Sequence, residues 1–344
     1  MLQLSSTLEE IASGSLPKTM EPNPSEPSVP GTTLRDELKK GKICAVMVTY
    51  NPDSPLEQNI RAVLPHVDKL ILVDNGSALP IRAHIETIAS SCPVEIIWNK
   101  ENLGLATALN IGIRRALGSG DFAWIATFDQ DSRVSAGFRA AMLQAYMSCP
   151  YRERVGIIGP HHVVFPENPM ASISHPEEHD SFREITAVMQ SGTFLSTAAL
   201  RTCGLFDESF FIDYVDFELC LRVRKNGLRI IEAPGAVIVH RLGNPSRHTL
   251  FGRTFTVCNH SALRRYYAAR NRLRIYSRYL FSDFPWLCHD VWLWLKEIVK
   301  LLLFEKSRGR KLTFISRGAW DALRGRSGMY AKEASSERKE SIAG

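Results

Sequence analysis

The chain has 344 residues, 44% hydrophobic and 23% charged, with a formal net charge of +6. That is the composition of a soluble globular protein, and the length allows one large α/β domain with appendages. Seven cysteines, an odd number with no CxxC pair, argue against a disulfide framework or a zinc site and for a reducing, cytoplasmic setting.

Residues 1–38 are rich in Ser, Pro and Glu and read as a disordered tail, with no basic start and apolar core of a signal peptide. From Ile43, short apolar runs alternate with amphipathic stretches. "ICAVMVTYN" (43–51), "KLILVDNGS" (69–77), "VEIIWN" (94–99) and "FAWIATFDQD" (122–131) each stay apolar for several residues and then turn polar. Continuous apolarity predicts strands covered on both faces, as in a parallel sheet. "SPLEQNIRAVLPHV" and "NLGLATALNIGIRRAL" between them carry helical spacing. The alternation predicts a doubly wound α/β fold over 39–255.

Polar residues gather where these strands end: Thr49, Tyr50 and Asn51; Asp74 and Asn75; Asn99 and Asn102; Asp129 and Asp131. Open α/β sheets bind ligands at that edge. Neither GxGxxG nor GxxxxGK[ST] occurs, so a dinucleotide fingerprint and a P-loop are unsupported. Two carboxylates one residue apart after a strand suit Mg²⁺ or Mn²⁺, which take one or two protein carboxylates and fill the rest with water and phosphate.

"GLFDESFFIDYVDFELCLRVRKNG" (204–227) sets five carboxylates among aromatics and ends in a short helix. Asp216 and Glu218 at its start either complement the helix dipole or include a base made more basic by apolar surroundings. His240 closes the apolar run "AVIVH" and is a structural histidine or a metal ligand. Residues 233–282 then hold nine arginines and no acid. Within them "SALRRYYAARNRLRIYSRYL" predicts a helix in which Arg270 and Asn271 contact a diphosphate or acceptor, or whose basic residues face anionic lipid. No nucleic-acid-binding motif accompanies the arginines, so nucleic acid is not an expected partner. "VWLWLKEIVKLLLF" (291–304) is an interfacial amphipathic helix or one packed on the core; residues 256–330 are read as a helical, basic region and 331–344 as a second disordered tail.

The ordered set "VTYN", "VDNGS", "NLGLATALNIGI", "FDQDS", "GLFDESFFIDYVDFELCLRVRKNG" and "VIVHRLG" resembles the family 2 inverting glycosyltransferases of GT-A fold, over roughly residues 43–280. "FDQDS" and "RRYYAARNRLRI" look most like its bacterial rhamnosyltransferases. The resemblance implies transfer of L-rhamnose from dTDP-rhamnose to a saccharide or lipid-linked acceptor in bacterial surface polysaccharide synthesis (O-antigen, lipopolysaccharide or capsule). The cysteine pattern, the arginine block and the amphipathic segment 291–304 with its following basic stretch place the protein in the cytoplasm or peripherally on the inner face of the bacterial cytoplasmic membrane, in contact with its anionic surface.

On the same resemblance, Thr49, Tyr50 and Asn51 line the nucleoside pocket, Asp74 bonds the pyrimidine base, and Asn102 and Gly104 shape the nucleotide loop. Gly192 and Arg270 are placed in the donor site with them. Asp129 and Asp131 match the DxD motif, with Asp129 nearer the ribose and Asp131 on Mg²⁺ or Mn²⁺, and His240 completes the metal site. Asp216 matches the catalytic base, with Glu218 as second choice. The family's usual Glu-Asp pair is Val215-Asp216 here. Competing readings are transfer from a UDP-sugar and a non-catalytic sugar-nucleotide or polysaccharide-binding protein.

Overall fold

The computed structural model describes residues 41–52, 55–164, 181–240, 245–250 and 253–330. The expected tails at 1–38 and 331–344 lie outside the described residues. Nine strands make the main sheet: β1 (Ile43–Thr49), β2 (Lys69–Asp74), β3 (Val94–Trp98), β4 (Trp124–Asp129), β5 (Arg133–Val134), β6 (Val155–Val164), β7 (Arg183–Glu184), β8 (Thr193–Ser196) and β9 (Arg229–His240). Their spatial order is β3-β2-β1-β4-β8-β6-β9-β5, with β7 also on β9. The first four are mutually parallel; β8 reverses, and β6 and β9 run with the first four again. Six of the nine strands therefore share one direction.

Why the first strands read as unbroken apolar runs follows from what covers them. Val46 of β1, Ile71 of β2 and Ile125 of β4 pack under α3 (Leu105–Ser119) and α6 (Val215–Lys225). Ala45, Leu72 and Phe128 face α1 (Leu56–Val63), α2 (Leu79–Ser91) and α4 (Phe138–Ser148) on the other side. All seven residues of β1 are buried. The edge strand β3 differs: its five residues are only half-buried, because no strand covers its outer side. Gly112 lets α3 lie close on β1, since a Cβ there would stand 2.4 Å from a Val46 methyl.

Beyond α5 (Thr197–Cys203) and α6, the hairpin β10 (Ser246–Leu250) and β11 (Arg253–Val257) leads into α7 (Ala262–Tyr279), α8 (Phe284–Phe304) and α9 (Arg308–Leu323). Ile275 and Tyr279 of α7 and Trp286 of α8 join the same buried cluster as β1 and α3. Helices α7 and α8 thus share a core with the sheet, whereas Ile315 of α9 packs with Ala269 and Leu301 in a separate cluster.

Candidate active site

A cavity of about 510 Å³ opens at the C-terminal ends of β1, β2 and β4 and is closed by α6 and α7. Tyr50, Asn102, Gly104, Asp129, Asp131 and Asp216 all line it. The turn after β4 is pinned from both sides. Gln130 accepts the Tyr50 amide at 2.8 Å through its side chain and Asn59 Nδ2 at 2.7 Å through its carbonyl. Asp129 accepts from Gln190 Nε2, while its own amide donates to Ser191 Oγ at 3.2 Å. Both carboxylates of "FDQDS" line the cavity, and that of Asp129 is held there by Gln190.

Thr49 and Asp74 are register partners at the ends of β1 and β2, and both are fully buried. Asp74 Oδ2 accepts the Ser77 amide and faces Arg82 at 3.2 Å. Asp74 Oδ1 and Thr49 Oγ1 are buried without a hydrogen-bond partner. Buried polar atoms are normally paired, so two orphans at one strand edge are groups that a bound molecule can satisfy. Asn51 caps the approach to α2, donating its amide to Ser77 Oγ and accepting the Ala78 amide at 2.9 Å. Asn102 Oδ1 accepts from Asn75 Nδ2 and the Gly104 amide, both at 3.0 Å. Gly104 has φ +86°, and a Cβ there would lie 2.5 Å from the Phe211 ring.

Across the cavity, Phe211, Asp213 and Tyr214 all adopt left-handed backbone (φ 66°, 62° and 65°) just before α6. Each such residue costs about 1–3 kcal/mol, and such strain persists only where surroundings over-determine it. Asn271 of α7 supplies that constraint, donating to the carbonyls of Phe210, Ile212 and Asp213. Phe211 stacks on Tyr267 at 5.2 Å, and the Tyr214 hydroxyl donates to Asp290 at 3.0 Å.

The strained turn delivers Asp216 to the cavity at the first turn of α6. Burial raises its carboxyl from 3.8 to about 6, against the opposing pull of the Phe217 amide, which it accepts at 2.9 Å. A carboxylate tuned toward neutrality is suited to taking a proton. Glu218 is placed differently. It is buried, bonded to Arg222 at 2.7 Å and to the Tyr279 hydroxyl at 2.9 Å, and does not line the cavity.

Five of the expected donor-site residues, Thr49, Asn51, Asp74, Gly192 and Arg270, do not line the cavity either. Gly192 donates its amide to the Thr127 carbonyl at 2.7 Å. Arg270 is buried and donates to the carbonyls of Gly328 (2.7 Å) and Phe210 (3.0 Å). Helical phase explains Arg270: Arg264, Arg265, Ala268 and Arg272 fall on one face of α7 at about 100° per residue, and Arg270 falls opposite. Those four line the cavity, with His260 at the helix entrance. Asp213, with smaller contributions from Asp129 and Asp216, raises the Arg264 guanidinium above its ordinary value. Burial and Arg264 lower the His260 imidazole, so it stays neutral near pH 7. Val215, in place of the family's first acid, is buried at the cavity wall, where the core meets the site. His240 ends β9; its side chain lies outside the described residues.

A family model described as "Glycosyl transferase family 2" matches residues 44–194. A dTDP-rhamnosyl transferase, RfbF, of Shigella flexneri is 32% identical over 244 residues, covering 67% of this chain and 78% of that protein. The chain belongs to glycosyltransferase family 2. An uncharacterized protein of Mycobacterium tuberculosis is 31% identical over 191 residues, covering 53% of this chain and 67% of that one. Among solved structures, GalNAc-T7 with UDP, GalNAc and Mn²⁺ aligns at 15% identity with a TM-score of 0.49, over 69% of this chain and 47% of that one. TarS of S. aureus aligns at 13% with a TM-score of 0.43, over 78% and 45%. This chain spans less than half the length of each of those two.

For a family 2 glycosyltransferase, the arginines on α7, His260 just before it and the Gln190-Ser191 pair are the site residues that motif reading missed. The i, i+4, i+8 spacing puts Arg264, Ala268 and Arg272 on one helical face, but arginines on the other faces hide which of them meets the cavity.

Proposed function

We propose that the chain is an inverting glycosyltransferase that moves L-rhamnose from dTDP-rhamnose to a hydroxyl of a saccharide or lipid-linked acceptor, in bacterial surface polysaccharide synthesis. The similarity to a protein named dTDP-rhamnosyl transferase supports the sugar. The observation that carries the chemistry is Asp216, raised to about 6 and lining the same cavity as Asp129 and Asp131.

In the proposed reaction the acceptor oxygen attacks the anomeric carbon as the bond to the diphosphate oxygen breaks. The acceptor proton passes to Asp216, and one displacement inverts the anomeric centre. The cavity walls hold donor and acceptor in line, which contributes through lost translational freedom. Asp74 Oδ1 and Thr49 Oγ1 receive the pyrimidine nucleoside. Asp129 and Asp131 share one wall of the cavity, and two carboxylates are a donor set that would suit Mg²⁺ or Mn²⁺. That matches ions that keep most positions for water and phosphate. Such a cation would stabilise charge on the leaving diphosphate.

Incubation of the protein with a panel of sugar nucleotides and Mg²⁺ or Mn²⁺ tests the reading. Release of dTDP from dTDP-rhamnose is expected. Turnover of UDP-sugars alone would overturn the sugar and keep the class, whereas binding without turnover of any donor would favour a sugar-nucleotide-binding protein.

A further inference from the structure

Helix α8 is built inside out. At about 100° per residue, its solvent-exposed positions Phe284, Pro285, Cys288, Trp292, Leu295, Val299, Leu302 and Leu303 fall within one arc of about 100°. No charged residue lies in that arc. Trp292, Leu295, Val299 and Leu303 are each more than half exposed (55%, 52%, 53% and 51%). The helix's acids point the other way: Asp290 bonds Arg272 at 2.9 Å, and Glu297 faces Arg265 at 3.3 Å. A contiguous apolar stripe of this length on a surface marks a contact site.

The edge of the stripe and the residues that follow decide the occupant. Lys296 lies over the Trp292 ring at 5.1 Å, and Lys300 follows one turn on. Lys306, Arg308 and Arg310 are exposed just past the helix, whereas the intervening Glu305 is buried against Lys311 and Arg265. The exposed rim is therefore basic. A second copy meeting this face about a two-fold axis would bring basic rim to basic rim. Anionic lipid headgroups complement it. No described helix is long and apolar enough to cross a membrane, which leaves a helix lying in the interface plane.

We infer that α8 docks the enzyme on an anionic membrane surface, with the Trp292–Leu295–Val299–Leu303 face among the acyl chains and Lys296, Lys306, Arg308 and Arg310 at the headgroups. The opposite face of the helix holds the site: Asp290 accepts the Tyr214 hydroxyl two residues before Asp216. A lipid-linked acceptor would thus arrive beside the base. The docking stands independently of which sugar is moved.

Flotation of the full chain with phosphatidylcholine vesicles, with and without phosphatidylglycerol, tests it. Binding to the anionic vesicles that weakens at high salt is expected. Leu295→Glu/Val299→Glu should reduce bound protein roughly tenfold or more, with an unchanged circular dichroism spectrum because both positions are exposed. Lys306→Glu/Arg310→Glu should remove the preference for anionic vesicles. Absent flotation of the wild type, or unchanged flotation of the first variant, overturns the inference. So does a concentration-dependent dimer that the first variant dissolves, which would assign the face to a second copy.

Discussion

The side-chain amide of Asn271 donates to the carbonyl oxygen of Asp213 at 2.8 Å, three residues before Asp216. The same amide reaches the carbonyls of Phe210 and Ile212, so one buried side chain on α7 holds a turn with three left-handed residues. Asn271→Ala leaves these carbonyls without that partner, at a cost of about 1–3 kcal/mol. A lower melting temperature and a kcat that falls more than the donor KM rises are expected, measured by calorimetry and steady-state kinetics.

Asp216→Asn removes the proton acceptor while keeping size and the bond from the Phe217 amide. General-base catalysis contributes about 10²–10⁴-fold, and kcat should fall by that order. Titration calorimetry with dTDP should show donor-site affinity little changed, since the proposed role of Asp216 is toward the acceptor hydroxyl. Retained turnover would remove Asp216 from the chemistry.

Glu218→Gln makes the opposite pair of outcomes. Its buried bond to Arg222 ties α6 to the carbonyls of Cys203 and Leu205, which Arg222 also reaches. Breaking a buried ion pair costs about 3–5 kcal/mol. Thermal unfolding should shift markedly downward while the pH profile of the remaining activity keeps its shape.

Asp74→Asn tests the orphaned oxygens. Losing a carboxylate acceptor for an imino N–H is worth roughly 1.5–3 kcal/mol when the group is charged, or about tenfold or more in dTDP affinity. Asp131→Ala tests the other end of the donor: metal-stimulated donor binding should weaken, and chelation by EDTA should bring the wild type toward the variant.

Strands β1, β2 and β4 were legible in the sequence because helices cover both their faces, leaving no polar register to blur the apolar run. β5, β7 and β8 were not, since strands of two to four residues carry no period; their pairing comes from β4, β6 and β9. The carboxylates were legible because each follows a strand or opens a helix. Arg264, Arg272 and His260 were obscured by a block in which every helical face holds an arginine, so only packing distinguishes Arg270, turned to Phe210, from those lining the cavity. For α8, core and interfacial readings predict the same composition. The structure packs Trp286, Leu293 and Leu301 inward and leaves Trp292, Leu295 and Val299 outward.

The pH dependence of kcat/KM tests the central assignment most directly. Burial raises the Asp216 carboxyl to about 6, above its ordinary value, so as the proposed base it is protonated below that pH and ionised above it. Activity of the wild type should rise with pH through about 6 and level off. In Asp216→Asn the residual rate should lose that acid limb. An acid limb near pH 6 that persists unchanged in Asp216→Asn would contradict the account.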